Sequence, residues 1–316
     1  MSRIIDFHTH TFPEKIAPAA VEKLRGNSHT MAFADATETG LRESMKRADI
    51  DLSVILPVAT SPAQVPKIND SSIRINERTA ETGLLSLGCM HPDFEGWREE
   101  LRRIAAAGIP GIKIHPVYQG VDIDDPRFVR ILSACGELGL FVSMHAGLDV
   151  GIPGGEQAIP RKTLRAIRQA GPVTLVLAHM GGWKCWDQVE ELLADSGAYL
   201  DTSFSLGPMT PSGDGYPWTE DTLRRLDAAS FVHLVRRFGA DRVLFGTDSP
   251  WADQRASVAE ILALPLTDEE KQSILSRNAG KLLKKLNEKV NDREERSVPA
   301  RYVVGKTSPW AGGDPD

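Results

Sequence analysis

The sequence predicts an α/β fold, a (β/α)8 barrel of the TIM type. Three observations predict it. Eight short apolar runs, rich in β-branched residues, lack the alternation of a half-solvated strand, so each suits a strand buried on both faces of a parallel sheet. Segments of helical pattern fill the gaps between them, as parallel crossovers require. The alternation extends over roughly 250 residues, the usual extent of such a barrel.

The runs are Ile4–Phe7, Leu52–Pro57, Leu84–Met90, Gly111–His115, Leu140–His145, Thr174–His179, Ala198–Thr202 and Arg242–Thr247. Between them, helices are predicted over Trp97–Ala107, stopped by Gly108, and over Arg127–Leu138, stopped by Gly139. Another starts at Pro160 and runs to Ala170, before Gly171-Pro172, and a long one covers Glu220–Phe238 up to Gly239. Proline near helix starts and glycine past their ends follow from φ preference and the missing proline N–H. Thr267 to Glu270 reads as a capping box. A doubly wound open sheet is the runner-up, but no G-x-G-x-x-G or P-loop follows any run.

Two gaps are long. Residues 11–51 contain TMAFADATETG, which reads as an active-site loop, and Leu206 to Trp218 is a Gly- and Pro-rich candidate lid. The barrel is expected over 1–286. The tail, 287–316, opens on a charged run (NEKVNDREER) and is expected to be partly disordered or interface-forming, since Tyr302, Val303, Val304 and Trp310 suit packing against another subunit.

Composition narrows the function. Of 316 residues, 41% are apolar and 25% charged, close to an average globular chain. The net charge of −6 gives no electrostatic support for nucleic-acid binding. No apolar run reaches the ~18 residues of a membrane span, and nothing at the N-terminus reads as a signal peptide, so a cytoplasmic address is expected. Three scattered cysteines, Cys89, Cys135 and Cys185, make neither a disulfide framework nor a CxxC zinc site.

The eight histidines carry the information. His8 and His10 lie at and just past the end of the first run; His115, His145 and His179 end the fourth, fifth and sixth; Asp248 follows the eighth. In a parallel barrel all C-terminal strand ends share one face, where active sites form. Residues i and i+2 on a strand point the same way, so the imidazoles of His8 and His10 can grip one divalent metal. His91, before Pro92, suits either a turn or the edge of the site. His29 and His233 read as surface or helix residues without a role.

The segments IIDFHTH (4–10), GIKIHP (111–116), LVLAHMGG (175–182) and RVLFGTDSPW (242–251) resemble the amidohydrolase superfamily. The likeness is to the branch that includes aminocarboxymuconate semialdehyde decarboxylase and many metal-dependent hydrolases. A weaker fifth match is Ser276-Arg277-Asn278-Ala279. The resemblance implies a mononuclear metal held by His8, His10, His145 and Asp248, with Asp248 and His179 as catalytic residues. A divalent ion with an open position lowers the pKa of its bound water towards about 7. Asp248 would take its proton, and the metal or His179 would stabilise the oxyanion.

Lys113-Ile114-His115-Pro116 is similar to the Lys-x-Tyr-Pro of binuclear relatives such as dihydroorotase, in which the lysine is carboxylated and bridges two metals. A binuclear site with carboxylated Lys113 is therefore the alternative to one Zn2+ or Mn2+. Otherwise Lys113 and His115 are expected to bind an anionic substrate group, or Lys113 simply pairs with a carboxylate. Trp183, Trp218 and Trp251 are candidates for an aromatic wall or for plain loop packing.

The leading expectation is a metal-dependent hydrolase of a small carbonyl compound, an amide or lactone. The alternative is a non-oxidative decarboxylase of an unsaturated or aromatic acid with the same ligands. A binding protein on a catalytically dead barrel is the third reading, and the intact ligand set argues against it. The expected partners are a small-molecule substrate and, from the family and the aromatic tail, a second copy in a homodimer.

Overall fold

A computed structural model describes residues 3–284 of the chain. Among them eight parallel strands alternate with helices. They are β1 (Ile5–Thr9), β2 (Leu52–Ile55), β3 in two pieces (Leu84–Ser86 and Gly88–Cys89), β4 (Gly111–Ile114), β5 (Phe141–Met144), β6 (Leu175–Leu177), β7 (Tyr199–Asp201) and β8 (Val243–Leu244). The first piece of β3 pairs with β2 and the second with β4. Leu87 between them still donates its N–H to the Ile55 carbonyl, so the ring continues through the break.

The ring closes where β8 meets β1. Phe7 N–H donates to the Phe245 carbonyl at 2.7 Å, Asp248 N–H to the His8 carbonyl at 2.8 Å and His10 N–H to the Ser249 carbonyl at 2.7 Å. This seam joins the two segments with the most specific motifs, H-x-H and Gly-Thr-Asp-x-Pro. The (β/α)8 barrel is thus the observed fold.

The apolar runs are buried on both faces, as their lack of alternation requires. Ile5, Phe7, Val54, Leu87, Phe141, Val176 and Leu244 form an inner cluster, and Phe7 and Phe141 meet with ring centroids 5.5 Å apart. Ile55, Ile112, Ile114, Val142, Met144 and Phe245 belong to a larger cluster with the surrounding helices. A register shift lies between Asp6 and Thr9. It turns His8 to the interior directly after inward-facing Phe7, the re-aiming for which bulges are used.

Most helix ends follow the local chemistry. Pro126–Leu138 starts with the Asp125 carboxylate accepting the Arg127 N–H and ends at Gly139 with φ +75°, a left-handed position that suits glycine. Pro160–Ala170 is as predicted, and Trp97–Ala106 stops one residue early. Thr267 and Glu270 form the capping box.

Three expectations are corrected. Glu220–Phe238 is not one helix: Glu220–Leu223 and Ala228–Phe238 are separate. Leu226 bridges to Leu206, Arg224 bridges to Pro208, and the Asp227 side chain accepts the Ser230 N–H and starts the second helix. A helical pattern there lost to strand-like pairing plus an N-cap. The gap after β1 is mostly helical, Ala17–Ser28 and Glu38–Ala48, leaving a short connection from 29 to 37. His29 is not idle. It caps the first of these helices at φ +54°, its Nδ1 lies 2.7 Å from Asp214 Oδ2, and it stacks on Tyr216 at 4.0 Å. It joins this connection to the loop after β7. The expected tail, 287–316, lies outside the described residues. No helix among the described residues is long and apolar enough to cross a membrane.

Candidate metal centre

The strand ends bring His8, His10, Lys113, His115, His145, His179 and Asp248 to one mouth. Within it, His8, His10 and Asp248 form one compact triad, and His115, His145 and Asp149 form another. The first contains three of the four predicted ligands. The fourth, His145, lies with the second triad and against His179.

The partner of each ring nitrogen decides what the first triad can do, since ring protons are assigned from partners. His8 Nδ1 lies 2.8 Å from Asp201 Oδ2, so it carries the proton. His10 Nδ1 lies 2.9 Å from the Leu56 carbonyl, which only accepts, so it also carries one. A neutral imidazole has one N–H. Both Nε2 atoms therefore present lone pairs, and they face each other at 3.1 Å. Asp248 Oδ1 lies 3.1 Å from His10 Nε2 and 3.5 Å from His8 Nε2.

Burial lowers His8 to about 4, against opposing attraction from Asp201 and Asp248. Burial would raise Asp248, but positive charge at the His8–His10 face holds its carboxylate well below the usual range; with both Nε2 atoms as lone pairs, a bound cation would supply that charge. Two lone pairs and a carboxylate in mutual contact repel unless a cation lies between them. A tetrahedral ion with Zn–N bonds of about 2.1 Å separates its ligands by about 3.4 Å. The residues present fit a divalent metal.

A second lone-pair contact lies beside it. His179 Nδ1 donates to the Ser203 carbonyl at 3.0 Å, and His145 Nε2 to the Leu148 carbonyl at 3.0 Å. This leaves His179 Nε2 and His145 Nδ1 as lone pairs, 3.1 Å apart. The His179 and His8 rings are 5.4 Å apart at their centroids. Burial lowers His145 and His179 alike, favouring the neutral rings that metals bind.

The second triad has the opposite polarity. His115 Nδ1 accepts the Tyr118 N–H at 3.3 Å, so its Nε2 carries the proton and points at Asp149 Oδ2, 3.5 Å away. The protonated Nε2 of His145 lies 3.7 Å from the same oxygen. Two N–H groups converge on one carboxylate, which burial raises to about 6. The rings of Tyr118, His115 and His145 stack at 4.0 Å spacings beside it. This cluster is satisfied by its own protons.

Lys113 is fully buried, its Nζ is 3.5 Å from His8 Nε2, and burial lowers it to about 8. No ion pair joins it to a carboxylate among the described residues, so the expected simple pairing is not found. His91 closes a turn, with Nδ1 accepting the Asp93 N–H. His233 is exposed and pairs with Glu190. Trp183, Trp218 and Trp251 belong to one apolar cluster with Phe204 and Met209. Loop packing describes them; Trp251 with Phe33 and Phe204 also lines a cavity of about 190 Å³.

Four residues escape the sequence reading: Asp6, Asp149, Asp201 and Ser203. Asp201 orients His8, and its carboxylate also accepts the His179 N–H and, through a short bond, the Ser203 hydroxyl. Such carboxylate–histidine pairs fix the tautomer of a metal ligand. Burial would raise Asp201, but His8 overrides it and holds it well below its ordinary range. The signal existed, because Asp201 ends its strand as His145 and His179 follow theirs. Asp149 sits in the loop after β5, where nothing in the sequence marks it. Backbone strain gathers here too: His179, Met180, Phe204 and Asp248 all have φ between +49° and +70°, a region that costs non-glycine residues about 1–3 kcal/mol.

A family model described as Amidohydrolase matches residues 5–285. The chain belongs to this family. Similar solved structures place the family in context. An uncharacterised TIM-barrel protein from Bordetella bronchiseptica is 18% identical, with a TM-score of 0.67 over 90% of this chain and 99% of that one. A 5-carboxyvanillate decarboxylase from Novosphingobium aromaticivorans, with bound manganese and a nitrobenzoic acid, is 15% identical, with a TM-score of 0.65 over 89% and 97%. A 2,6-dihydroxybenzoate decarboxylase from Rhizobium is 14% identical, with a TM-score of 0.61 over 90% and 99%. At these identities the likeness supports the fold of the family. Among curated proteins none matches this sequence.

Proposed function

We propose that this amidohydrolase-family chain is a metal-dependent carboxy-lyase that removes carbon dioxide from a small aromatic or unsaturated acid. This replaces the hydrolase as the leading reading. The observation that carries the change is Lys113: a buried ammonium 3.5 Å from the metal-facing nitrogen of His8, without an ion pair to a carboxylate. Asp201, Asp248 and Asp149 attract it from beyond ion-pair distance; an anionic substrate would give it a direct partner, and a neutral amide or lactone would not. The 5-carboxyvanillate and 2,6-dihydroxybenzoate decarboxylases among the similar structures support the same reading.

His8, His10 and Asp248 would hold one divalent ion, Zn2+ or Mn2+, with His145 Nδ1 or His179 Nε2 available to complete its shell. When bound, the ion supplies positive charge that orients the acid and steadies charge built up on it. Lys113 would hold the anion beside Asp248, with the bound ion supplying further positive charge. In the reaction the bond from the carboxylate carbon to its ring or alkene carbon breaks. Carbon dioxide leaves, and the electron pair stays on the carbon, which takes a proton. Asp248, ionised beside the donor set, would take a proton from solvent and pass it to that carbon, so that the acid anion plus one proton gives the decarboxylated product and carbon dioxide. The same carboxylate favours a second reading, hydrolysis, in which it removes a proton from attacking water.

The test is a substrate screen of Zn2+- and Mn2+-loaded enzyme. Hydroxylated benzoic acids and unsaturated acids are assayed for carbon dioxide, and lactones and amides for ring opening or cleavage. Carbon dioxide release from an acid, with Lys113→Met raising KM at least about tenfold as expected for a lost charge-assisted contact, supports the proposal. Cleavage of a lactone or amide, with no release from any acid, overturns it in favour of hydrolysis.

A further inference from the structure

The seam between β1 and β8 brings the metal-facing segments together, and a carboxylate that is no ligand sits behind it. Asp6 is fully buried. Its Oδ1 accepts the N–H of His8 at 3.2 Å and of Thr247 at 3.0 Å. Its Oδ2 accepts the Thr247 hydroxyl at 2.6 Å and Gln254 Nε2 at 2.7 Å. Gln254 also reaches Ser53 on β2, at 3.3 Å. Asp6 thus ties β1, the turn after β8 and the helix Gln254–Ala263, and Gln254 carries the link on to β2.

The turn it grips is strained. Asp248 has φ +70°, which L-residues hold only where the surroundings over-determine them. Thr247 Oγ1, itself bonded to Asp6, accepts the Ser249 N–H at 3.1 Å. Thr247 and Ser249 flank Asp248 and are both fixed by this relay. Backbone bonds brace it too, from Asp248 N–H to the His8 carbonyl, His10 N–H to the Ser249 carbonyl and Trp251 N–H to the Asp248 carbonyl, and Asp6 holds His8 as well.

We propose that Asp6 is a positioning residue for the metal centre: through Thr247 it locks Asp248 in its left-handed turn and in register with His8 and His10. The proposal rests on the reading of His8, His10 and Asp248 as metal ligands. It predicts that ligand geometry is lost when Asp6 stops accepting from both partners, even where the barrel stays folded.

The experiment is competition titration of Zn2+ against a chromophoric chelator, with thermal unfolding of each metal-free protein measured beside it. Asp6→Asn and Thr247→Val should each weaken Zn2+ binding by about 10–100-fold, the usual scale for outer-shell partners. The double variant Asp6→Asn with Gln254→Glu exchanges donor and acceptor across the 2.7 Å contact. It mends the Gln254 contact but leaves the Thr247 hydroxyl facing an amide NH2, so Zn2+ binding should stay weakened by about tenfold or more, because the relay runs through Thr247. Wild-type binding by Asp6→Asn overturns the proposal, as does wild-type binding by the double variant, which would place the role in Gln254 and not in Thr247. Should Asp6→Asn fail to fold, Thr247→Val decides: unweakened binding in a folded variant overturns the proposal. The wild type and His8→Ala separate the two readings. Absence of Zn2+ binding by wild type, or its survival in His8→Ala, rejects the metal site itself; tight wild-type binding unchanged by Asp6→Asn rejects only the role of Asp6.

Discussion

His8, His10 and Asp248 have nearly the same composition and spacing as His115, His145 and Asp149. They sit at the same barrel mouth, yet in the first triad lone pairs converge and in the second N–H groups do. The difference comes from what lies behind each ring. Asp201 and the Leu56 carbonyl take the outward protons of His8 and His10. In the second triad the Tyr118 N–H occupies the rear nitrogen of His115, and both forward protons meet Asp149. Proximity of histidines and aspartates therefore does not define a metal site; the tautomers imposed by their rear partners do.

This contrast is broken most severely by exchanging the fates of the two triads. His10→Ala should reduce turnover by about 1000-fold or more, because a ligand and its charge stabilisation go together. Asp248→Asn should do nearly as much, since it removes the carboxylate proposed to carry the proton. His115→Ala, in the satisfied cluster, should raise KM more than it lowers kcat. Steady-state kinetics of the three variants check the order; a His115→Ala as dead as His10→Ala would erase the distinction.

A smaller effect sharpens it. Asp201→Asn keeps the size of the side chain but weakens its hold on the His8 proton, and should cost about 10–100-fold in metal affinity. Asp149→Asn should change metal affinity by no more than a few-fold, because no metal-facing lone pair depends on it alone; the Leu148 carbonyl still fixes His145. Chelator competition on both variants gives the answer. Equal losses would mean that Asp149 also serves the metal.

Acidity gives the mildest test. Burial lowers His8 from 6.5 to about 4. A histidine lowered on folding favours the folded state above its unfolded value, and that contribution is lost as pH falls from about 6.5 towards 4. Protons also compete with metal for its Nε2. Metal should therefore persist on dialysis at pH 6 and leave as pH approaches 4. Release centred near 6.5 would show that His8 has ordinary basicity and is not the ligand described.

Much of this was legible in the sequence. Doubly buried strands need uninterrupted apolar runs, so the barrel and the strand ends bearing His8, His10, His145, His179 and Asp248 could be read from residue type. What could not be read was orientation. The proton positions depend on the carbonyls of Leu56, Leu148 and Ser203, and a backbone carbonyl leaves no mark in a sequence. Asp6 was visible as a charged residue within an apolar strand, a placement that requires partners, but Thr247 and Gln254 are more than 200 positions away. The helix expected over 220–238 failed for a local reason, since Asp227 caps a new helix instead of continuing an old one.

Metal content of the whole chain, purified without chelator, tests the central claim most directly. Elemental analysis of the wild type beside His8→Ala, His10→Ala and His115→Ala is sufficient. About one equivalent of zinc or manganese is expected in the wild type and in His115→Ala, and almost none in the other two. Two equivalents in the wild type, with one lost in His115→Ala, would contradict the central claim by making the second triad a metal site. No metal in any of the four would remove the metal centre altogether.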